Sequence, residues 1–262
     1  MKKTYNLDWF EEDGAEFEIK VQILKNKVTL MIDTTGEGLH KRGYRAFINQ
    51  APLKETMAAA LLKLARFRGM DRALLDPTCG TGTFLIEAAM IAKNIAPGVN
   101  RRFASEKWGV IDENYWLDAR DEAYSLETPD NETIIFGSDI SEDAINIAKH
   151  NIEIAGFEDI IHLECKDVKD ISSEYKYGAI ISNPPYGERL SEVEEVKKLY
   201  KTMGRVFQNK FSTWSYYILA QDKEFESVFG TKSNKNRKLY NGGIECYFHQ
   251  YYGERPPQLD KK

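Results

Sequence analysis

Two short stretches of this 262-residue chain hold residue types that could do chemistry. The first, Asn183-Pro184-Pro185-Tyr186, follows an apolar run, Tyr177-Gly178-Ala179-Ile180-Ile181-Ser182, that reads as a buried strand. At the C-terminal end of a strand, an Asn and two prolines set rigid hydrogen-bond acceptors and a flat ring at the mouth of an α/β sheet. An exocyclic amine on a base is a poor nucleophile, because its lone pair is delocalised into the ring. The Asn183 side-chain carbonyl and the Pro184 backbone carbonyl can accept from its two N–H groups and polarise it. Pro184 and Pro185 restrict the backbone, and Tyr186 can stack on the base. The chemistry that suits this corner is in-line transfer of a methyl group, driven by alignment and electrostatics. The amine becomes acidic as it gains the methyl, so no separate general base is needed. A base inside a helix cannot reach such a corner, so a nucleic-acid substrate must be looped or flipped. Taken alone, the tetrapeptide also reads as a plain strand-to-loop turn.

The second stretch lies upstream: Asp76-Pro77-Thr78-Cys79-Gly80-Thr81-Gly82-Thr83. Its glycines let backbone approach a ligand and aim N–H groups from the following helix start. Asp76 is suited to a ligand ammonium, Asp139 to a pair of ribose hydroxyls and Asp167 to an adenine amine. The loop lacks the Gly-Lys-Ser/Thr ending of a P-loop, and Gly80-Thr81-Gly82 has no third glycine to complete a dinucleotide fingerprint. A strand-end acid with a short glycine loop points to S-adenosylmethionine over a nicotinamide cofactor. Asp139 stands farther from the loop than the roughly twenty residues usual for a ribose acid; an insertion at 97–130 would absorb the excess. Each glycine or acid alone is compatible with a structural turn. Four such segments at corresponding strand ends are not explained that way.

The elements that must position these residues follow from patterning. Glu16 to Leu24 and Val28 to Asp33 read as two short strands joined by a turn at Lys25-Asn26-Lys27. Two strands are too few for an independent domain. Pro52 opens a helix whose apolar face is Leu53, Met57, Ala60, Leu61 and Leu64, with Gly69 as its stop. From Arg72 onward strand and helix alternate: a strand before Asp76, a helix from Thr83 to Asn94, and an insertion at 97–130 with one or two helices. A strand from Thr133 to Asp139 and a helix capped by Ser141 and ended by Gly156 come next. Strands Ile160 to Glu164 and Tyr177 to Asn183, a charged helix from Glu192 to Gln208, and a strand from Trp214 to Ala220 complete the alternation. Lys238-Leu239-Tyr240 and Ile244 to Tyr251 flank Asn241-Gly242-Gly243, a hairpin signal. Repeated βα units imply an α/β fold, doubly wound around a mostly parallel sheet, with an antiparallel strand from the terminal hairpin and a short N-terminal β extension.

Composition narrows the class. No run approaches the ~18 apolar residues of a membrane span, and the first residues carry no apolar signal core. Cys79, Cys165 and Cys246 are far apart, which favours reduced thiols in a cytoplasmic protein over disulfides or a zinc site. The four histidines are scattered, so no metal is expected. The formal charge is −5. Nucleic-acid binding must therefore rest on a local basic patch.

With both loops in hand, the chain resembles class I S-adenosylmethionine-dependent methyltransferases that carry an N-P-P-Y motif. It is most similar to those associated with a THUMP RNA-binding domain that methylate guanine N2 in bacterial large-subunit ribosomal RNA. The closer match is carried by Asp33-Thr34-Thr35-Gly36, Leu39 to Arg45, Ala51-Pro52-Leu53-Lys54-Glu55 and Asn236 to Cys246. The resemblance implies a seven-stranded sheet. It divides the chain into residues 1–45, a β extension like the end of a THUMP domain plus linker, and a methyltransferase domain over 46–262. It implies S-adenosylmethionine held by Gln50, Asp76, Thr78, Cys79, Gly80, Thr81, Gly82, Thr83, Asp139, Ile140, Asp167, Val168 and Asn183. It also implies catalysis by Asn183, Pro184, Pro185 and Tyr186, and RNA, most simply 23S ribosomal RNA or a precursor, as partner. The family's full THUMP domain has no counterpart here beyond its last strands.

Other residues weigh less. Lys232, Lys235, Arg237 and Lys238 form the densest basic run and are the candidate RNA-binding set; a solvated hairpin approach is the bland alternative. Arg42, Arg45 and Arg101-Arg102 are weaker candidates of the same kind. Glu87 reads as complementing its helix surface, Cys79 as small packing, and Trp108 and Trp116 as anchors of the insertion. The motif alone leaves open adenine N6 in DNA, guanine N2 in RNA and the glutamine amide nitrogen of proteins; the alternatives to ribosomal guanine N2 are adenine N6 in DNA or RNA and guanine N2 in tRNA. Outside that chemistry stand a nicotinamide-dependent oxidoreductase and a non-catalytic RNA-binding module that keeps the donor fold.

Overall fold

The structure is a computed structural model that describes residues 2–6, 8–9, 14–45, 53–69, 72–187 and 190–256, the side chains of Lys2, Tyr5, Leu190, Ser191 and Glu192 apart. After a short helix α1 (Lys2–Tyr5), strands β1 (Glu18–Leu24) and β2 (Lys27–Asp33) form a separate hairpin. Its two-residue turn places Lys25 and Asn26 both at positive φ, the type I′ geometry that matches strand twist.

The main body alternates α2 (Glu55–Leu64), β3 (Leu74–Asp76), α3 (Thr83–Ala92), α4 (Glu113–Ser125), β4 (Ile135–Asp139), α5 (Glu142–Ala155), β5 (Ile161–Cys165), β6 (Ala179–Ser182), α6 (Leu190–Lys210), β7 (Ser215–Ala220), α7 (Phe225–Phe229), β8 (Lys235–Asn241) and β9 (Ile244–Tyr251). Its sheet has seven strands in the order β5-β4-β3-β6-β7-β9-β8. Strands β3 to β7 are parallel, and β9 runs antiparallel to both β7 and β8. The doubly wound fold read from the sequence is the one found.

Period-two alternation explains the two layers. Leu74, Ile181, Tyr217 and Phe248 face a core shared with Leu61 and Leu62 of α2, Phe84 and Ile86 of α3, and Ile145 and Ile152 of α5. Their neighbours Leu75, Ile180, Tyr216 and Ile218 face Tyr200, Met203 and Phe207 of α6, and Phe225 and Phe229 of α7. Central strands are buried on both sides, as parallel strands between helices must be.

Four local expectations change. Helix α2 begins at Glu55, not Pro52, because Lys54 is still extended (φ −65°, ψ 141°). It ends at Leu64 with Ala65 as its cap; Arg66 takes the left-handed conformation and Phe67 N–H reaches back to Leu62 O at 3.0 Å, a Schellman closure. Gly69 serves a different end: a Cβ there would stand 2.3 Å from Ala92 Cα. The buried face of α2 is Ala58, Leu61 and Leu62, while Ala60 is exposed. Strand β8 starts at Lys235, so the basic run Lys235 to Lys238 is edge strand and not an approach to it.

The segment expected as an insertion contains a single 3₁₀ turn, Ala104–Lys107, and helix α4. It anchors the N-terminal hairpin. Trp108 Nε1 donates to Glu16 O at 2.8 Å and its ring stacks on Phe17 at 4.7 Å, while Ser105 Oγ donates to Thr34 O at 2.9 Å. Trp116 stacks on Phe103 at 5.7 Å. Both tryptophans are anchors, as read from the sequence.

Candidate active site

Strand order reverses at β3, whose neighbours are β4 on one side and β6 on the other. In open α/β sheets the crevice at such a reversal, beyond the carboxyl ends of the strands, is where ligands bind. The glycine loop leaves β3 and the Asn-Pro-Pro-Tyr corner leaves β6, so both flank that crevice. A hydrogen bond of 2.7 Å between the Thr78 and Ser182 hydroxyls joins them directly.

The loop is stapled from several sides. Asp76 is 2% exposed and accepts from Thr78 N–H at 3.1 Å. Among the described residues no cation pairs with it. Burial holds its carboxyl well above the usual range, and the Asp139 charge adds to that, against the pull of the Thr78 N–H. Asp139 accepts from Gly80 N–H and from Ser141 N–H, both at 3.0 Å, and so ties the tips of β3 and β4 together. Gly80 and Gly82 both have positive φ. A Cβ on Gly80 would meet nothing within 4 Å, whereas one on Gly82 would touch Ala148 of α5 at 3.4 Å. Gly82 therefore serves helix packing as well as the turn, while Gly80 faces open space that a ligand can fill. Thr81 O accepts from the buried Asn151 of α5 at 3.0 Å, and Thr83 Oγ1 from Arg45 at 2.7 Å. Cys79 is buried, and its thiol is pushed up by that burial, in keeping with packing rather than reactivity.

Farther along the strand tips, Ile140 is 73% exposed beside Asp139. Asp167 caps the 3₁₀ turn Val168–Asp170 by accepting from Lys169 N–H at 3.0 Å, and pairs with the Lys169 ammonium at 3.0 Å. Those two groups hold its carboxyl below the usual range. The Val168 side chain is buried, so only its backbone can face the crevice. Gln50, with its neighbours Asn49, Ala51 and Pro52, lies outside the described residues.

At the β6 corner Pro184 is buried and Asn183 half-buried. Tyr200 of α6, fully buried, donates to Pro185 O at 3.2 Å and fixes the backbone of the turn. Tyr186 donates to Asn183 Oδ1 at 2.6 Å. Its ring packs against the core beside Leu239 and Ile244 of the β8–β9 hairpin. Burial, then Cys246, pushes the Tyr186 hydroxyl well above its ordinary range, so it stays a donor. The hydrogen bond orients the Asn183 carboxamide and leaves its oxygen a second lone pair.

The basic set is exposed as expected: Lys232 before β8, and Lys235, Arg237 and Lys238 on it. Arg42 and Arg45 are not surface cations. Arg42 is held by Glu87 at 3.3 Å, and Arg45 lies 3.3 Å from Glu55. Glu87 itself is 2% exposed and also accepts from Tyr44 at 3.1 Å, so it is a buried anchor instead of a surface complement. Arg101 donates to Gly38 O at 3.1 Å, while Arg102 is exposed and pairs with Glu106 at 2.9 Å.

Ser182, Asn151 and Tyr200 escaped the sequence reading. Asn151 carried a signal, since it shares the buried face of α5 with Ala144, Ala148 and Ile152 yet is polar. A groove of about 720 Å³ between α2, α3 and α4, lined by side chains such as Met90, Ile91 and Ala123, holds none of the strand-tip acids. Among the described residues no three metal-ligating side chains cluster, and no helix is long and apolar enough to cross a membrane.

Known proteins resemble this chain. Bacillus subtilis YpsC, described as a candidate RNA methyltransferase, is 45% identical over 254 residues, which is 97% of this chain and 66% of YpsC. The ribosomal RNA large subunit methyltransferase K/L of Psychromonas ingrahamii is 40% identical over 247 residues, 92% of this chain and 33% of that enzyme. This chain thus spans just under two thirds of one relative and a third of the other. Among solved structures, a predicted N6-adenine-specific DNA methylase from Listeria monocytogenes superposes with a TM-score of 0.88 at 47% identity, covering 96% of this chain and 65% of that one. SMU.472, a candidate methyltransferase complexed with SAH, gives 0.88 at 45% identity, covering 94% and 64%. The family model for the RMKL-like methyltransferase domain matches residues 42–250, from the strap that carries Arg42 through nearly all of β9. That span contains both strand-tip loops, and the chain belongs to the RMKL-like methyltransferase domain family.

Proposed function

We propose that this chain transfers a methyl group from S-adenosylmethionine to the exocyclic N2 amine of a guanine in RNA, with 23S ribosomal RNA as the substrate. The observation that carries the reading is the Thr78–Ser182 hydrogen bond, which seats the glycine loop and the Asn-Pro-Pro-Tyr corner against one crevice. The residues fit the donor: a buried carboxylate at Asp76 with no cation among the described residues, open space over Gly80 and an uncovered apolar side chain at Ile140. In this reading Asp76 takes the donor ammonium, Asp139 the ribose, Ile140 one face of the adenine, and Asp167 with the Val168 backbone its edge. Thr78, Cys79, Gly80, Thr81, Gly82 and Thr83 supply backbone around it.

The bound donor supplies an electrophilic methyl on a sulfonium. Asn183 and the Pro184 carbonyl accept from the two amine N–H groups and hold the lone pair toward the methyl. Tyr186 keeps the Asn183 oxygen aimed into the site and presents its ring to the base. Tyr200 holds Pro185, so the acceptors do not drift. Methyl transfer would leave the amine with an extra proton, which would pass to water or to Asn183. Lys232, Lys235, Arg237 and Lys238 contact the RNA backbone. Residues 1–45 form a β extension and linker, like the end of a THUMP domain, on a catalytic domain spanning 46–262.

The choice of ribosomal RNA leans on likeness to the K/L enzymes. Likeness to the Listeria protein favours adenine N6 as the second reading. Methyl-labelled donor, ribosomal RNA and DNA, followed by mass spectrometry of the nucleosides, separate them. The expected product is N2-methylguanosine from RNA, lost in Asn183→Ala while S-adenosylhomocysteine still binds. Label found only as N6-methyladenosine, or full activity in Asn183→Ala, would overturn the assignment.

A further inference from the structure

We propose that Tyr240, at the C-terminal end of the edge strand β8, is a stacking platform for a base of single-stranded RNA flanking the target nucleotide, with Arg237 and Lys238 gripping the adjoining phosphates. This rests on RNA as the substrate. Strand β8 ends the sheet, and its outer rim has no pairing partner among the described residues. Lys232, Lys235, Arg237 and Lys238 crowd onto or beside it with no acid from Thr231 to Ile244, in a chain of net charge −5. Among the described residues, Lys232, Lys235 and Arg237 have no acid within ion-pair distance; Lys238 pairs with Glu245 at 2.6 Å.

Alternation sorts the side chains. Lys235 and Arg237 project from one face of the strand, Lys238 and Tyr240 from the other. A chain lying along the rim is reached by cations from both sides. Tyr240 is 56% exposed, with the Lys238 ammonium 5.6 Å from its ring centre. Lysines on an edge strand can be explained as protection against sheet-to-sheet pairing. An uncovered aromatic ring at the same edge works against that protection, and a base gives it a partner.

Position supports the assignment. Strand β8 runs parallel to β6, so Tyr240 stands at the same end of the sheet as Asn183. Three strand spacings separate them, about 14 Å at the usual spacing. The hairpin's other side touches the corner, since Leu239, Ile244 and Tyr186 pack on one core. A nucleotide flipped toward Asn183 would leave its flanking neighbours over this edge.

Anisotropy of a fluorescein-labelled single-stranded oligoribonucleotide of mixed sequence, titrated with the full chain, tests the platform. Tyr240→Ala should weaken binding roughly tenfold, while Tyr240→Phe and Tyr240→Trp keep it. An oligonucleotide with abasic sites should bind Tyr240→Ala and the parent alike. Arg237→Gln should lower the slope of affinity against salt. Equal binding of Tyr240→Ala and parent, equal loss in the Ala and Phe variants, or no binding by the parent overturns the platform. If the parent binds through Tyr240 yet methylates no RNA, the substrate reading fails and the platform stands. If RNA is methylated with an unchanged KM in Tyr240→Ala, the platform fails and the substrate reading stands.

Discussion

Asp76 and Glu87 belong to the same βα unit and each is 2% exposed, yet their surroundings are opposite. Glu87, on the body of α3, has a guanidinium and a phenol: Arg42 at 3.3 Å and Tyr44 at 3.1 Å. Asp76, at the strand tip, has one backbone N–H and no cation among the described residues. A buried carboxylate without a partner is costly. Folding supplies the first acid with a guanidinium and a phenol, although burial still holds its carboxyl above the usual range, and supplies the second with no cation among the described residues. Burial is therefore a poor guide to role by itself; what faces the buried charge separates structure from function.

Removing the compensated acid should produce the largest effect. Glu87→Ala leaves Arg42, whose side chain is 8% exposed, and the Tyr44 hydroxyl without their acceptor. Breaking a buried pair from one side costs about 3–5 kcal/mol. Equilibrium denaturation should read that loss, and Glu87→Gln, which still accepts from Tyr44, should lose less. An unchanged denaturation midpoint for Glu87→Ala would mean that residues 42–45 are not docked in solution, and the contrast with Asp76 would disappear.

The uncompensated acid should respond with the opposite sign. The Asp76 carboxyl is raised in the folded state by burial, so its contribution to stability is full at low pH and lost as pH rises through the raised value. Ligand-free Asp76→Asn should thus be at least as stable as the parent, with a margin that widens with pH. If Asp76 takes the ligand ammonium, as proposed, binding of S-adenosylhomocysteine needs the carboxylate. Between the ordinary and the raised pKa, binding should release a proton, which calorimetry in buffers of different ionisation enthalpy detects. Asp76→Asn should abolish the release and weaken binding roughly tenfold. A parent that binds without proton release, with affinity flat across that pH window, would show that no ammonium reaches Asp76.

The same contrast explains what the sequence revealed. Elements with a local cause were legible: Ser141 accepting from Ala144 N–H at 3.2 Å, Gly156 left-handed at a helix end, alternating apolar strands. The placement of Asp76, Asp139 and the Asn-Pro-Pro-Tyr corner at strand tips was legible because an apolar strand pattern runs into each. Pairings across the fold were not. Nothing local announces that Arg42 and Arg45 turn inward to Glu87 and Glu55, or that Thr78 meets Ser182. Arg66 took a left-handed helix end that a glycine was expected to fill, because the Phe67 closure outweighs the modest penalty at a non-glycine position. The hairpin β1–β2 shows the limit most plainly, since alternation identified the strands and said nothing of what covers them.

That hairpin offers the smallest expected effect. In its register Ile19 faces Ile32, Val21 faces Leu30 and Ile23 faces Val28, which gives one fully apolar face. All six are more than half exposed, from 57% at Ile32 to 73% at Ile23. Side chains already in water lose no burial when made polar. Val21→Asp should therefore change stability by no more than about 0.5 kcal/mol. Ile135→Ala, at a fully buried site in the sheet, should cost about 2–5 kcal/mol. One substitution removes apolar surface from an uncovered strand face and the other from a covered one, so the difference reports on coverage. A loss in Val21→Asp that approaches the Ile135→Ala value would mean that the apolar face is covered in solution, and analytical ultracentrifugation of both variants would show whether a second copy covers it.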